Sequence, residues 1–137
     1  MTSIAAWLFT ICGISLVGIG GFFLVGRPPL LLEDARFMNS STEEILGAVP
    51  GLGSWLRHVF WVLGGYIATT GLLVLYVTNT SLRSGSAGAL AVLTVAGMTS
   101  LGWMSAVNFL IRSDFRWALL CLALVWTLGL FLAVAAR

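Results

Sequence analysis

The sequence predicts an all-α integral membrane protein: a four-helix antiparallel bundle with a short interfacial helical lid between its first and second spans. Only 9% of the 137 residues are charged, 59% are hydrophobic, and the mean hydropathy is +1.03. A soluble domain carries about 25% charged residues, so this chain has too few ionised groups to cover a water-exposed surface. Its four long apolar runs lead us to expect that residues 1–137 form one transmembrane domain.

Each apolar run is long enough to cross the hydrocarbon layer, since a helix rises about 1.5 Å per residue. The expected spans cover residues 4–25, 54–78, 87–111 and 115–136. No basic residue precedes the first run, so we expect an uncleaved helix rather than a signal peptide. Pro28 and Pro29 should end that helix. Ser54 is the expected N-cap of the second span, and the short turns that follow favour antiparallel neighbours.

The connection over residues 27–53 holds four of the five acidic residues and is the predicted lid. An apolar triplet at 30–32 precedes a charged cluster at 33–36, a pattern typical of a segment lying at a membrane surface. Ser41 and Glu44 fit a capping box that starts a short helix. We therefore expect one or two short interfacial helices folded against one end of the bundle.

The third expected span carries small residues spaced four apart. The pairs are Ser84 with Gly88, Ala87 with Ala91, Ala96 with Ser100, and Gly102 with Ala106. Inside lipid, small residues allow two helix backbones to approach closely. The pattern therefore predicts that the third span is the central helix of the bundle.

Polar residues recur on one stripe of the second span and one stripe of the third, and we call the predicted contact between them the polar seam. The stripes are Thr94, Gly97, Leu101, Ser105 and Asn108 on the third span, and His58, Val62, Gly65, Thr69 and Tyr76 on the second. The lid and the turn at 112–114 should lie on the same side of the membrane. His58 and Asn108 each lie about one turn from that side, so we expect them at similar depth, at the mouth of the seam.

Two interpretations of the polar seam remain open. In the first, the seam is a pocket for a small ligand or a proton, with His58 as the titrating group and Asn108 as its hydrogen-bond partner. The candidate ligand-binding residues are His58, Asn108, Ser105, Thr69, Thr94, Arg57 and Arg112, and Glu33, Asp34 and Asp114 would share the rim with the two arginines. In the second, His58 is an interfacial residue and the other polar side chains join helices by hydrogen bonds.

The sequence indicates no catalytic or metal-binding motif and identifies no cofactor. It contains no HExxH pattern, no phosphate-binding glycine loop and no paired acids within a span. Cys12 and Cys121 lie in apolar runs without a second ligand nearby in sequence, which favours packing roles. The formal net charge of +2 is too small for a nucleic-acid-binding surface. An enzymatic role is therefore not favoured.

The layout resembles small bacterial four-span membrane protein families described as domains of unknown function. The resemblance rests on the Pro28-Pro29 end of the first span, the acidic and apolar connection, and Arg57-His58 followed by Gly64-Gly65 in the second span. It implies a four-span fold and a multi-pass protein of the bacterial inner (cytoplasmic) membrane. It implies no activity, so no catalytic residue follows from it.

Three functions are consistent with these observations. The leading expectation is an accessory or scaffold subunit that packs with membrane-protein partners or with copies of itself in the lipid bilayer. The alternative is a binder of a lipid-, sterol- or quinone-like ligand in a pocket under the lid, and a small transporter ranks lowest. Arginine counts would place the lid in the cytoplasm, although acidic residues on the same side offset that charge.

Overall fold

A computed structural model describes residues 3–136, and every regular element in that range is helical. Four of the helices are long and apolar enough to cross a membrane, and we call them spans 1 to 4. Their bounds are Ile4–Gly26, Leu52–Leu82, Ala87–Leu110 and Arg116–Ala135. Each lies within a few residues of its expected position. The prediction of an all-α chain with four helices of spanning length is confirmed.

Three of these helices contain a π-helical turn, in which the backbone hydrogen bonds widen to five residues. The turns are Phe22–Gly26, Thr78–Leu82 and Met98–Gly102. The first ends span 1 directly before the Pro28-Pro29 pair, where Arg27 N–H donates to the Phe22 carbonyl at 2.8 Å. The second extends span 2 to Leu82, beyond the expected end at 78.

Span 2 begins earlier than expected, and the predicted N-cap is wrong. Gly51 caps the helix with a φ of +88°, a left-handed conformation that glycine adopts without strain. Ser54 therefore lies inside the helix, where its carbonyl is 2.7 Å from His58 Nδ1. The Pro50-Gly51 turn, and not a hydroxyl cap, sets the start of span 2.

Two short lid helices connect spans 1 and 2: a first lid helix, Leu32–Phe37, and a second lid helix, Thr42–Ala48. The predicted capping box is confirmed, because Glu44 N–H donates to Ser41 Oγ at 3.1 Å and Ser41 N–H donates to the Glu44 carboxylate at 3.1 Å. The Ser40 hydroxyl adds a hydrogen bond of 2.7 Å to that carboxylate. These donors hold the pKa of Glu44 below its usual range.

Spans 1 and 2 make the closest backbone contact, through glycines spaced seven apart on each span. A Cβ on Gly20 would lie 2.7 Å from the Gly64 carbonyl, and a Cβ on Gly71 would lie 2.7 Å from the Gly13 carbonyl. Residue numbers rise along one helix as they fall along the other. Span 1 also packs against span 4. Span 1 therefore takes the central position that the sequence predicted for span 3. The small residues of span 3 are instead exposed at Ala87, Gly88, Ala91, Gly102 and Ala106.

The buried core lies mainly in the half of the structure away from the lid, which we call the far half. Its members are Ala5, Phe9, Cys12, Leu16, Val74, Leu82, Ala89, Leu93, Leu101, Trp126 and Ala133. Phe9 and Trp126 pack edge to face with ring centroids 5.2 Å apart. The Trp126 indole lies against Gly97, and Phe9 lies against Gly129. Large side chains therefore meet glycines and leave little space between the helices.

Candidate functional site

A cavity of about 800 Å³ lies in the half nearer the lid, which we call the lid half. All four spans and the first lid helix contribute to its wall. The lining consists of Ser15, Gly18, Ile19, Phe22, Phe23, Arg27, Leu31, Glu33, Asp34, Phe60, Ile67, Met104, Asn108, Ile111, Phe115, Ala118, Leu119 and Leu122. A volume of this order matches the pockets that hold drug-sized and cofactor-sized ligands.

The polar groups of the cavity are concentrated at its lid end. Arg27, Glu33 and Asp34 come from the lid connection, and Asn108 lies in the last turns of span 3. The remaining polar residue, Ser15, donates its hydroxyl proton to the Ile11 carbonyl of its own helix at 2.9 Å. All other lining residues are apolar or glycine. The cavity therefore has a polar end and an apolar body.

The exposed members of the lining lie on spans 1 and 4 and at Phe115, the N-cap of span 4. Gly18 and Ala118 are exposed, and Phe22 and Phe115 are 41% and 51% exposed. Gly18 faces open space, since a Cβ built there would meet nothing within 4 Å. These positions indicate that the cavity opens sideways between spans 1 and 4 on their outer surface.

Arg27 is held between the lid and two aromatic rings. Its Nη2 donates to Asp34 Oδ2 at 2.9 Å, in an ion pair with side chains only 8% and 21% exposed. The guanidinium carbon lies 3.6 Å from the centre of the Phe60 ring and 5.4 Å from that of Phe23. Stacking on aromatic faces suits a guanidinium, which is weakly hydrated. The pair ties the first lid helix to spans 1 and 2.

Glu33 joins the lid to the turn between spans 3 and 4. The Ser113 hydroxyl is 3.1 and 3.0 Å from the two Glu33 carboxylate oxygens, and Asp114 N–H donates to one of them at 2.8 Å. Ser113 Oγ in turn accepts from Phe115 N–H at 3.1 Å. Glu33 and Ser113 are buried. We call this contact the latch; it carries charge-assisted hydrogen bonds to a carboxylate away from water.

A second ion pair lies outside the latch. Arg36 and Asp114 approach to 3.2 Å, and both side chains are more than half exposed. The hydrogen bonds and charge of Asp114 raise the pKa of Arg36 above its usual range. Because exposed ion pairs contribute little stability, we assign the lid attachment chiefly to Glu33.

A smaller cavity of about 350 Å³ lies beside the first, between the lid helices and the start of span 2. Its lining consists of Pro29, Leu30, Asp34, Phe37, Met38, Ile45, Leu52, Leu56, Phe60 and Ile111. The two cavities share Asp34, Phe60 and Ile111. These three residues thus form the wall between the main cavity and the underside of the lid.

Of the seven candidate ligand-binding residues, Asn108 lines the main cavity. It is half-buried, and its Nδ2 donates to the Met104 carbonyl of the preceding turn at 2.8 Å. Because a carbonyl only accepts, the amide nitrogen must face Met104, which leaves Oδ1 for another partner. Asn108 thus lies at the cavity wall, and its role in binding a ligand stays a prediction.

The prediction that the polar stripe of span 2 faces span 3 is wrong. His58 is exposed and lies edge-on to Trp61, with ring centroids 5.1 Å apart. Thr69 and Arg57 are exposed as well. The glycine contacts with span 1 turn Gly64 and Gly71 inward, and this rotation leaves the histidine stripe on the outer surface. His58 and Asn108 do not share a site.

The three remaining candidates do not line the cavity. Ser105 is buried, and Thr94 is half-buried with its hydroxyl donating to the Leu90 carbonyl at 2.9 Å. Arg112 is exposed in the turn between spans 3 and 4, with a φ of +54°. The span 3 stripe does face inward, since Gly97 and Leu101 are buried.

Apart from Asn108, Glu33 and Asp34, no lining residue was among the expected site residues, and Arg27 and Phe60 are the missed residues that matter most at the lid end. Arg27 pairs with Asp34 and stacks on Phe60, whereas Glu33 and Asp34 themselves were expected at a rim. One signal for Arg27 was available: an arginine directly before Pro28-Pro29, where the chain must turn back over the bundle. No comparable signal distinguishes Phe60 from the other apolar residues of span 2.

The site contains no recognisable metal-binding constellation: within residues 3–136, no three His, Cys, Asp or Glu side chains lie close enough to hold an ion. No family model, curated protein or solved structure matches the chain. The resemblance to small bacterial four-span families therefore stays a prediction, and the proposals for this protein depend on the geometry of the site.

Proposed function

We propose that this protein binds an amphiphilic, lipid-like ligand in the main cavity, with the apolar part of the ligand between the spans and its polar head under the lid. The observation that carries the proposal is the cavity of about 800 Å³, which has an apolar body and one polar end. Concave, mostly apolar sites with a few converging polar groups are typical of small-molecule binding.

The proposal places the chain in a bilayer as a four-span antiparallel bundle with an interfacial lid, in the bacterial inner membrane. Support comes from the four helices of spanning length and from the glycine contacts of spans 1 and 2. The latch supports it too, because Glu33 brings the lid to the turn between spans 3 and 4. In that arrangement the opening between spans 1 and 4 faces hydrocarbon, so a lipid-like molecule enters from the bilayer without crossing water.

Photolabelling of the protein in lipid nanodiscs tests this proposal. The probes are long-chain amphiphiles with a diazirine in the tail, supplied as a mixture of an alcohol, an amine and a sulfonate. We expect labelled peptides to map to the lid half of spans 1 and 4, around Gly18 and Ala118. Mass spectrometry of the lipids that remain bound through purification should identify the natural ligand of the cavity.

Gly18→Trp and Gly21→Trp form a matched pair for this experiment. Neither glycine has a neighbour within 4 Å of its Cβ position, but only Gly18 lines the cavity. The Gly18 variant should block the opening and lose the cavity label, whereas the Gly21 variant should keep it. Equal labelling of both variants, or labels spread evenly over all outer faces, would overturn the proposal.

The second candidate is an accessory or scaffold subunit, and one observation favours it. Gly88, Ala91, Gly102 and Ala106 form an exposed face of small residues on span 3, the type of surface on which another transmembrane helix packs closely. Gly88→Leu together with Gly102→Leu should then release a partner helix. Native mass spectrometry of complexes from the source membrane, with and without the double substitution, checks this outcome.

A small transporter stays the lowest-ranked proposal. It would need a second opening at the far end, and there Phe9, Leu93 and Trp126 are buried in a closed core.

A further inference from the structure

We infer that the cavity selects a ligand whose polar head donates hydrogen bonds and carries no negative charge, namely a hydroxyl or an amine. This inference deepens the proposed function and rests on it. It follows from three properties of the polar end: its cation is already paired with a carboxylate, two of its oxygen acceptors have no hydrogen-bond partner within residues 3–136, and its net charge is negative.

The cation of the site is already paired with a carboxylate and covered by an aromatic ring. Arg27 Nη2 is bound to Asp34, and its Nη1 donates to the Pro28 carbonyl at 3.1 Å and weakly to that of Pro29 at 3.5 Å. Phe60 covers the guanidinium plane at 3.6 Å. An anionic head would have to share the guanidinium with Asp34 or displace it. Displacing Asp34 from a pair whose arginine side chain is only 8% exposed leaves a carboxylate without its partner.

Two oxygen acceptors of the lining have no hydrogen-bond partner within residues 3–136. Asp34 uses Oδ2 for both Arg27 and the Leu31 N–H, at 2.9 Å each. Its other oxygen, Oδ1, accepts no hydrogen bond from any residue in 3–136, and the same holds for Asn108 Oδ1. Both residues line the cavity. A hydroxyl or amine head can donate to these oxygens, whereas an ionised sulfonate head has no donor and can bind neither of them.

The charge of the lining acts in the same direction. Glu33 and Asp34 contribute two negative charges and Arg27 one positive charge, so the lining carries a net charge of −1. An anionic head in this largely apolar cavity would be repelled by that charge and would also lose its own hydration. A neutral donor avoids both costs, and a cationic amine gains attraction.

Separate photolabelling with the three heads tests the inference. The alcohol, the amine and the sulfonate have one chain length and carry the same diazirine, and each is titrated into nanodiscs made from a zwitterionic lipid. We expect the sulfonate to need at least about tenfold more probe than the alcohol for half-maximal labelling of the cavity peptides, because it gains no charge-assisted hydrogen bond.

Asn108→Leu and Asn79→Leu supply the matched variants. Both asparagines donate Nδ2 to the carbonyl four residues earlier at 2.8 Å, but Asn79 lies near the far end of span 2. Asn108→Leu should weaken labelling by the alcohol several-fold and leave the sulfonate unchanged, while Asn79→Leu should change neither. Asp34→Asn should reduce the difference between the probe concentrations that the alcohol and the sulfonate need for half-maximal labelling. This substitution also disturbs the lid, because it weakens the ion pair with Arg27.

The outcomes separate the inference from the proposed function. Cavity labelling by the sulfonate at the same concentrations as the alcohol would overturn the head-group inference and leave the binding function standing. Absence of cavity labelling by all three probes would overturn both. A preference for the alcohol that Asn108→Leu does not reduce would remove Asn108 from the recognition of the head.

Discussion

The four helices pack closely in the far half and enclose a cavity in the lid half, where spans 1 and 2 stay in contact at Gly20 and Gly64. In the far half, Phe9 and Trp126 pack against Gly129 and Gly97 and fill the space between spans 1, 3 and 4. In the lid half, Gly18 has no large side chain opposite it, and the cavity remains. A large residue meets a glycine in one half, and a glycine meets empty space in the other.

This difference assigns separate roles to the two halves. Interiors are normally close-packed, so a void of this size lowers stability unless something occupies it. The far half can hold the spans together while the lid half stays open, because the closed core and the contacts of spans 1 and 2 do not depend on the cavity. The lid, fastened by Glu33 and Arg27, covers the open half.

The largest effect is expected from emptying the far half. Trp126→Ala should lower the free energy of unfolding by about 3–5 kcal/mol, because it removes the largest side chain of the closed core. Trp103→Ala is the control, since that side chain is 70% exposed. Unfolding by denaturant in mixed micelles measures both. Similar losses in the two variants would contradict a solid far half.

Trp126→Phe sharpens this prediction. The indole Nε1 is buried and has no hydrogen-bond partner within the described part of the chain, so its replacement loses packing area but no hydrogen bond. The phenylalanine variant should therefore be much closer in stability to the original protein than the alanine variant.

Breaking the latch should have a smaller effect, confined to the lid half. Glu33→Ala should cost about 1.5–3 kcal/mol, as expected for hydrogen bonds to a buried charged group. Hydrogen exchange should accelerate in the lid helices and in the turn at 112–115, and remain slow in the far half. Glu43→Ala removes the same charge from an exposed position and should leave exchange unchanged. Faster exchange throughout the bundle would show that the halves are not independent.

The smallest effect is expected at the contact of spans 1 and 2. Gly20→Ala should lower the free energy of unfolding by about 1–3 kcal/mol, because the added Cβ would lie 2.5 Å from the Ala68 backbone nitrogen. Gly21→Ala meets nothing within 4 Å and should be neutral or stabilising by up to about 1 kcal/mol, since alanine favours helix more than glycine. Equal effects of the two substitutions would mean that this contact is loose.

The sequence by itself determined the elements. Scarcity of charge and four apolar runs predicted four spanning helices, Pro28-Pro29 predicted the end of span 1, and Ser41 with Glu44 predicted the second lid helix. These features depend on composition or on interactions between residues close in the chain. The N-cap at Ser54 failed because the Pro50-Gly51 turn offered another start.

Only the tertiary structure decided which face of each span points inward. A helix in lipid is apolar on both its buried and its outer side, so hydrophobic periodicity does not set its rotation. The glycine pairs Gly13 with Gly20 and Gly64 with Gly71, each seven residues apart, were the readable signal, and their contact turned His58 outward. The cavity depends on side chains absent from facing positions on separate spans, and on a lid that brings Arg27 and Glu33 over them. Such an arrangement exists only once distant segments have packed.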